Sequence, residues 1–209
     1  IINKKFKKLP KAQQSFLQYL SILGNRFELK TGLKMLADFG FTQEQMQEAQ
    51  DKGFIDQSLG QYQFAHDQIQ DYVFNSIEEQ DKRRIHFKIG RYLQKAYNDR
   101  SFDDIICLVD HLNSAYKKGN FSKKLFKLNI LALEEMLKSN AYPRAMERVL
   151  WIKENLYNSS LWQKDHANAF NFRLLFVKTL YLNTVHKSAY KEINILTNFF
   201  LLLLTRCFN

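Results

Sequence analysis

His66 and Asp67 stand together in the stretch FAHDQIQDYVFN, residues 64–75, and no other pair in this sequence is better placed to do chemistry. An imidazole N–H can donate to an anionic oxygen such as that of a phosphate. An aspartate at a helix start can accept backbone N–H groups, here those of Ile69 or Gln70. A packing or hydrogen-bonding histidine is the plainer reading of the same junction. The other histidines, His86, His111, His166 and His186, never fall at the i, i+4 spacing of helical metal sites. Cys107 and Cys207 form no CxxC unit, so neither a zinc ligand set nor a disulfide framework is expected. No Ser/His/Asp or Cys/His set, paired carboxylates or glycine-rich cradle comes together, so no catalytic residues and no metal ligands are expected.

The His-Asp pair is positioned by a run of short elements over residues 1–80. Leu9-Pro10 opens a helix with Phe16, Leu17, Leu20 and Leu23 at helical spacing, and Gly24 ends it. A second helix carries Leu29, Leu33 and Leu36 and stops near Phe39-Gly40. Thr42 followed by Gln45 is a capping-box pattern that starts a third helix, which Lys52-Gly53 closes. Phe54-Ile55 and Tyr62-Gln63-Phe64 read as strands about a turn at Gln57-Ser58-Leu59-Gly60. Three helices and a two-stranded wing make a winged-helix pattern, with His66 at the exit of the wing.

Residues 81–209 read almost entirely as helix, joined by short turns, which implies helical hairpins. One apolar face holds Ile69, Tyr72, Val73 and Ile77; the next holds Ile85, Ile89, Leu93 and Ala96. In LNILALEEMLKSNAYPRAMERVLWIKENL the first helix presents Leu128, Leu131 and Ala132, the second Tyr142, Ala145 and Val149. Ala145 is the small residue that lets two helices approach, as in a tetratricopeptide repeat. Tyr190 and Ile193 repeat the Tyr142 and Ala145 spacing in a degenerate copy. Phe170, Leu174, Val177 and Leu180 mark the helix between. The fold class expected is mainly α: a winged helix with a small β-hairpin, then a linker and a TPR-like array of α-hairpins truncated at its end.

Composition sets outer limits. The 209 residues are 45% hydrophobic and 25% charged, with 7 Gly and 2 Pro, which suits a mostly helical chain. The net charge of +10 comes from lysines scattered along the sequence and reads as a solvated surface. The terminal run from Asn198 to Cys207 is shorter than the roughly 20 apolar residues that span a bilayer, so no membrane span is expected. Paired with the reduced cysteines, this suits a cytoplasmic setting. With no initiating methionine, the sequence reads as a fragment of a longer protein.

Taken in order, the strings LGNRFEL, AQDKGFI, YQFAHDQIQDYVFNSI, RRIHFKIGRYL, VDHLNSA and LNILALEEMLKSNAYPRAMERVL resemble one family. They look like the winged-helix and helical-repeat region of large STAND or AAA-type signalling ATPases, found between protein-kinase and histidine-kinase domains in multi-sensor proteins. The similarity weakens beyond about residue 160. It implies an upstream nucleotide-binding domain acting in cis, with ADP or ATP and Mg bound in the parent protein and none by these residues alone. This chain itself has no G-x-x-x-x-G-K-[ST] loop. Related ATPases of apoptosis and plant immunity carry a His-Asp pair within the MHD motif, where the histidine meets the β-phosphate of ADP. Carried over, His66 would contact phosphate and Asp67 would cap and orient the loop; Ala65 stands where the immunity proteins have methionine.

Three functions follow as expectations. The first is a regulatory, partner-binding segment of a signalling ATPase whose output is a kinase. The second is a TPR-like interaction scaffold with no nucleotide coupling, binding a protein partner or itself. The third is a winged-helix DNA-binding regulator, disfavoured because the third helix carries Glu44, Glu48 and Asp51 against Lys52 alone.

Overall fold

The computed structural model describes residues 2–24, 26–58, 61–96, 102–117, 119, 122–157, 161 and 165–207. The chain divides into two compact units, Ile1–Ala96 and Tyr97–Asn209.

Unit 1 is a winged helix. Its elements are α1 (Ile2–Lys7), α2 (Lys11–Leu23), β1 (Arg26–Glu28), α3 (Leu29–Asp38), α4 (Gln43–Asp51), β2 (Ile55–Ser58), β3 (Gln61–Phe64), α5 (Asp67–Asn75) and α6 (Glu79–Ala96). Gly24, at φ +115°, ends α2 in a conformation that a side chain disfavours. The expected capping box starts α4: Gln45 N–H donates to Thr42 Oγ1 at 3.4 Å, and Thr42 N–H to Gln45 Oε1 at 3.0 Å. Gln13, buried on α2, donates to the Gln45 carbonyl at 2.7 Å and ties the two helices together.

The wing is the expected hairpin, β2 paired with β3, but it belongs to a three-stranded sheet of order β1-β3-β2. The added strand is the segment Arg26-Phe27-Glu28, with Phe27 opposite Tyr62. Three residues carry no period of their own; they become a strand because β3 offers an edge to pair with. Gln57 and Ser58 lie within β2, while the expected turn residues Leu59 and Gly60 fall outside the described residues, as do the side chains of Leu29 and Leu33.

The core of unit 1 centres on Phe16, Leu17 and Leu20 of α2, with Met46, Ile55, Val73 and Ile89 fully buried around them. Edge-to-face rings extend it: Phe16 with Phe41 at 5.6 Å and Phe39 with Tyr92 at 5.8 Å between centroids. Helix α6 contributes Ile85 and Ile89 and packs on α2.

Unit 2 is a helical array: α7 (Phe102–Ala115), α8 (Lys123–Lys138), α9 (Tyr142–Asn155), α10 (His166–Leu182) and α11 (His186–Cys207). Each helix packs on its neighbour in sequence, and α10 also packs on α8, as stacked hairpins require. Ser122 caps α8, and Pro143 occupies the first turn of α9, where its missing N–H costs little. Among the described residues, no helix is long and apolar enough to cross a membrane.

Ile89 is 0% exposed. Its replacement by alanine should cost about 2–5 kcal/mol, read as faster amide exchange in α2 as well as α6. Unchanged exchange in α2 would show that α6 merely lies on the surface of the unit.

Candidate functional site

At the exit of the wing, His66 is the N-cap residue of α5, extended at φ −148° and ψ 143°, and its side chain makes no capping bond. Its carbonyl accepts the Ile69 N–H at 2.9 Å, so the backbone itself closes the first turn. Asp67 is the first residue of α5, where a carboxylate complements the helix dipole. Both side chains are exposed. His66 opens onto a cleft of about 210 Å³ shared with Lys5, Lys52, Gly53 and Gln68. Lys52 also bonds Glu48 at 2.5 Å, which neutralises part of its charge. The cleft lies below the roughly 300 Å³ at which small-molecule pockets begin. His66 and Lys5 share this small opening. Among the described residues, no three His, Cys, Asp or Glu side chains come together as a metal site.

Unit 2 carries a second constellation, which periodicity alone does not reveal. Ala145 and Ala189 are both buried, at matching points of α9 and α11. The register is 44 residues (145 to 189), and the same step relates Asn129 to Arg173 and Arg148 to Glu192. In the α8–α9 hairpin, Arg148 donates to Asn129 Oδ1 at 3.4 Å; in the α10–α11 hairpin, Arg173 pairs with Glu192. The positions are the same but the groups differ: a cation at 148 is replaced by an anion at 192, and a neutral amide at 129 by a cation at 173. Arg148 also pairs with Asp110 of α7, and Lys153 of α9 reaches Glu192 at 3.4 Å, linking successive hairpins. A cleft of about 340 Å³ opens beside this network, bounded by Asp110, Asn113, Arg144, Arg148 and Trp151.

Three sequence expectations shift accordingly. The second repeat copy is registered on Ala189, because Tyr190 and Ile193 stand 65% and 41% exposed. On α8 the buried face is Leu125, Phe126, Asn129, Ile130, Leu133 and Met136, with Ala132, while Leu131 points outward. Helix α10 turns Ala169, Phe172, Phe176 and Leu180 inward and leaves Leu174 exposed. Its apolar residues run all around the helix, so spacing could not select the buried face. His111 is buried in α7, in keeping with its structural reading. The 44-residue recurrence of a charged residue three after an alanine was the one sequence signal that could have located the ladder.

Nine large apolar side chains stand exposed among the described residues; Phe87 lies in unit 1, and the other eight belong to unit 2. They include Leu174 and Tyr181, seven residues apart on one face of α10, and Tyr190 and Ile193 on one face of α11.

No protein-family model matches this chain, and no curated protein or solved structure matches it either.

The Arg173–Glu192 pair offers a test of the ladder. Glu192→Leu alone strands a guanidinium and should cost about 3–5 kcal/mol, whereas Arg173→Leu with Glu192→Leu should recover most of the loss. A double variant as unstable as the single one would show that the residues do not act as a pair. In unit 1, burial holds the His86 imidazole below its ordinary value of 6.5, with Glu79 opposing the shift and Lys82 adding to it. The folded state thus favours the neutral ring. The stability involved is present above about pH 6.5 and is lost as the pH falls from there through the lowered folded value. His86→Gln should flatten that part of the melting-temperature curve between about pH 7.5 and pH 5.5. Parallel curves for the two proteins would refute the assignment.

Proposed function

We propose that this chain is a protein-interaction module whose helical-hairpin array docks a protein partner. The observation that carries this reading is the concentration, among the described residues, of eight exposed large apolar side chains in unit 2, against one in unit 1. Scattered singles are normal on a protein surface, but rows along helix faces, rimmed by charge, suit docking. Stacked hairpins supply the extended surface such a partner needs. The cleft beside Arg144, Arg148 and Trp151 adds a polar and aromatic anchor point within the same unit. No step of this function requires a bound nucleotide or metal.

The test is crosslinking in the native cell, comparing the natural protein with Leu174→Ser/Tyr181→Ser and Tyr190→Ser/Ile193→Ser variants. Specific neighbours should be lost from at least one variant while helicity and melting temperature hold. An identical set of neighbours in all three would overturn the reading.

The cleft at His66 favours a second reading, the nucleotide-linked switch that the family resemblance implies. Lys5 and His66 there give a phosphate oxygen two donors at the mouth of α5. ADP, with Mg and ATP in the exchanged state, would be held by a separate nucleotide-binding domain, and His66 would add one charge-assisted hydrogen bond to phosphate. That bond is worth about 1.5–3 kcal/mol, so His66→Ala in the parent protein should speed ADP release about tenfold or more. An unchanged release rate would remove His66 from any such role.

A further inference from the structure

An open groove of about 890 Å³ runs between α3 and α6 of unit 1. Among the described residues, four cations line it, Lys34, Lys88, Arg91 and Lys95, against one carboxylate, Asp38. Residues distant in sequence thus build a basic surface that a scan for charge runs passes over. Asp38 is engaged with Tyr92: burial first, then the neighbouring carboxylate, raises the Tyr92 phenol above its ordinary range. Lys88 Nζ donates to the Tyr19 hydroxyl at 3.1 Å. Among the aromatic rings, Phe39 and Tyr92 pack edge-to-face on each other. Phe87 differs, with 54% of its surface exposed.

Phe87, Arg91 and Lys95 recur every fourth residue, so they form one stripe along α6, spanning about 12 Å of helix axis. A flat exposed ring in line with cations spaced along a groove is the arrangement that holds a strand of nucleic acid: bases stack on the ring and the cations follow the phosphates. The geometry points to single-stranded nucleic acid as the ligand of the α3–α6 groove, with a base stacked on Phe87 and phosphates met by Arg91, Lys95 and Lys34. Duplex docking in the winged-helix manner would instead use α4, whose Glu44, Glu48 and Asp51 repel a phosphate-lined groove. An acidic peptide helix laid in the groove would need a row of exposed apolar anchors, and of the three described lining rings Phe87 alone is exposed, Phe39 and Tyr92 being partly buried against each other. This inference is independent of the docking function of unit 2.

Fluorescence anisotropy of the full 209-residue chain with a labelled oligothymidylate tests it, with the same oligomer as a duplex and an oligoglutamate peptide as rivals. Saturable binding to the single strand is expected, weakening as salt rises. Phe87→Ala should weaken it about tenfold, and Phe87→Trp should restore it. Arg91→Gln/Lys95→Gln should reduce the slope of log K against log salt by about 1.4, that is about 0.7 for each phosphate no longer neutralised. This slope carries the test if Phe87→Ala proves unstable. Absence of saturable binding at low salt, equal affinity for the duplex, an unaltered slope, or displacement by oligoglutamate at matched charge would each overturn the proposal.

Discussion

Everything in unit 2 depends on the two helices of each hairpin coming close enough to bury one charged side chain between them, Arg148 in the first and Glu192 in the second. Ala145 and Ala189 make that approach feasible, because a larger side chain at either position would hold the helices apart. Close approach removes Arg148 and Glu192 from water, which is unfavourable unless each finds a partner. Asn129 and Asp110 serve Arg148; Arg173 and Lys153 serve Glu192. Such pairs add little net stability compared with apolar residues of the same size. They do penalise wrong registers, since a one-turn slip would leave a charge buried alone. The change from Arg148 to Glu192 at the matching position works the same way, because a hairpin stacked out of order would put each charge beyond reach of its partner.

Unit 1 solves a different problem with its last helix. One face of α6 supplies Ile85 and Ile89 to the core, while Phe87, Lys88, Arg91 and Lys95 look outward. Acidic residues occupy the first turn, Glu79 and Asp81, and cations the remainder, which matches the helix dipole at both ends. The charge separation therefore stabilises the helix and at the same time concentrates positive potential on its later turns. Lys82 shows the local version: it pairs with Glu79 at 2.9 Å and lies over the Phe74 ring at 4.4 Å. A helix built this way belongs to the fold by one face and remains free for electrostatic recognition by the other.

The parts legible in the sequence were those governed by local rules. The capping box at Thr42, the stops at Gly24 and Gly53, Pro143 in a first turn and the β2–β3 hairpin all rest on residues within a few positions of one another. Strand β1 was not legible, because its pairing with Gln61–Phe64 is a tertiary contact across more than thirty residues. The buried face of α10 was not legible either: a helix apolar all around leaves the choice to its neighbours α8, α9 and α11. The same holds for the groove of unit 1, where Lys34 of α3 shares a lining with Arg91 and Lys95 of α6 only in the folded unit. Charge that looks dispersed along the chain can be dense in space.

A magnitude decides how the wing exit and the helical surfaces rank as sites. One imidazole–phosphate hydrogen bond contributes about 1.5–3 kcal/mol, short of the roughly 4 kcal/mol that even millimolar binding needs. The cleft at His66 adds Lys5 and a Lys52 already shared with Glu48, and little else that could grip a nucleotide. A switch reading of His66 therefore requires a second domain to hold the ligand, with the histidine only biasing the balance between two states. Exposed rows of Leu, Tyr and Ile on stacked hairpins need no such help, since each large apolar side chain covered by a partner contributes about 1.5–3 kcal/mol. A few of them, buried together, offset the entropy lost on association, and this places partner docking ahead of nucleotide sensing for this chain.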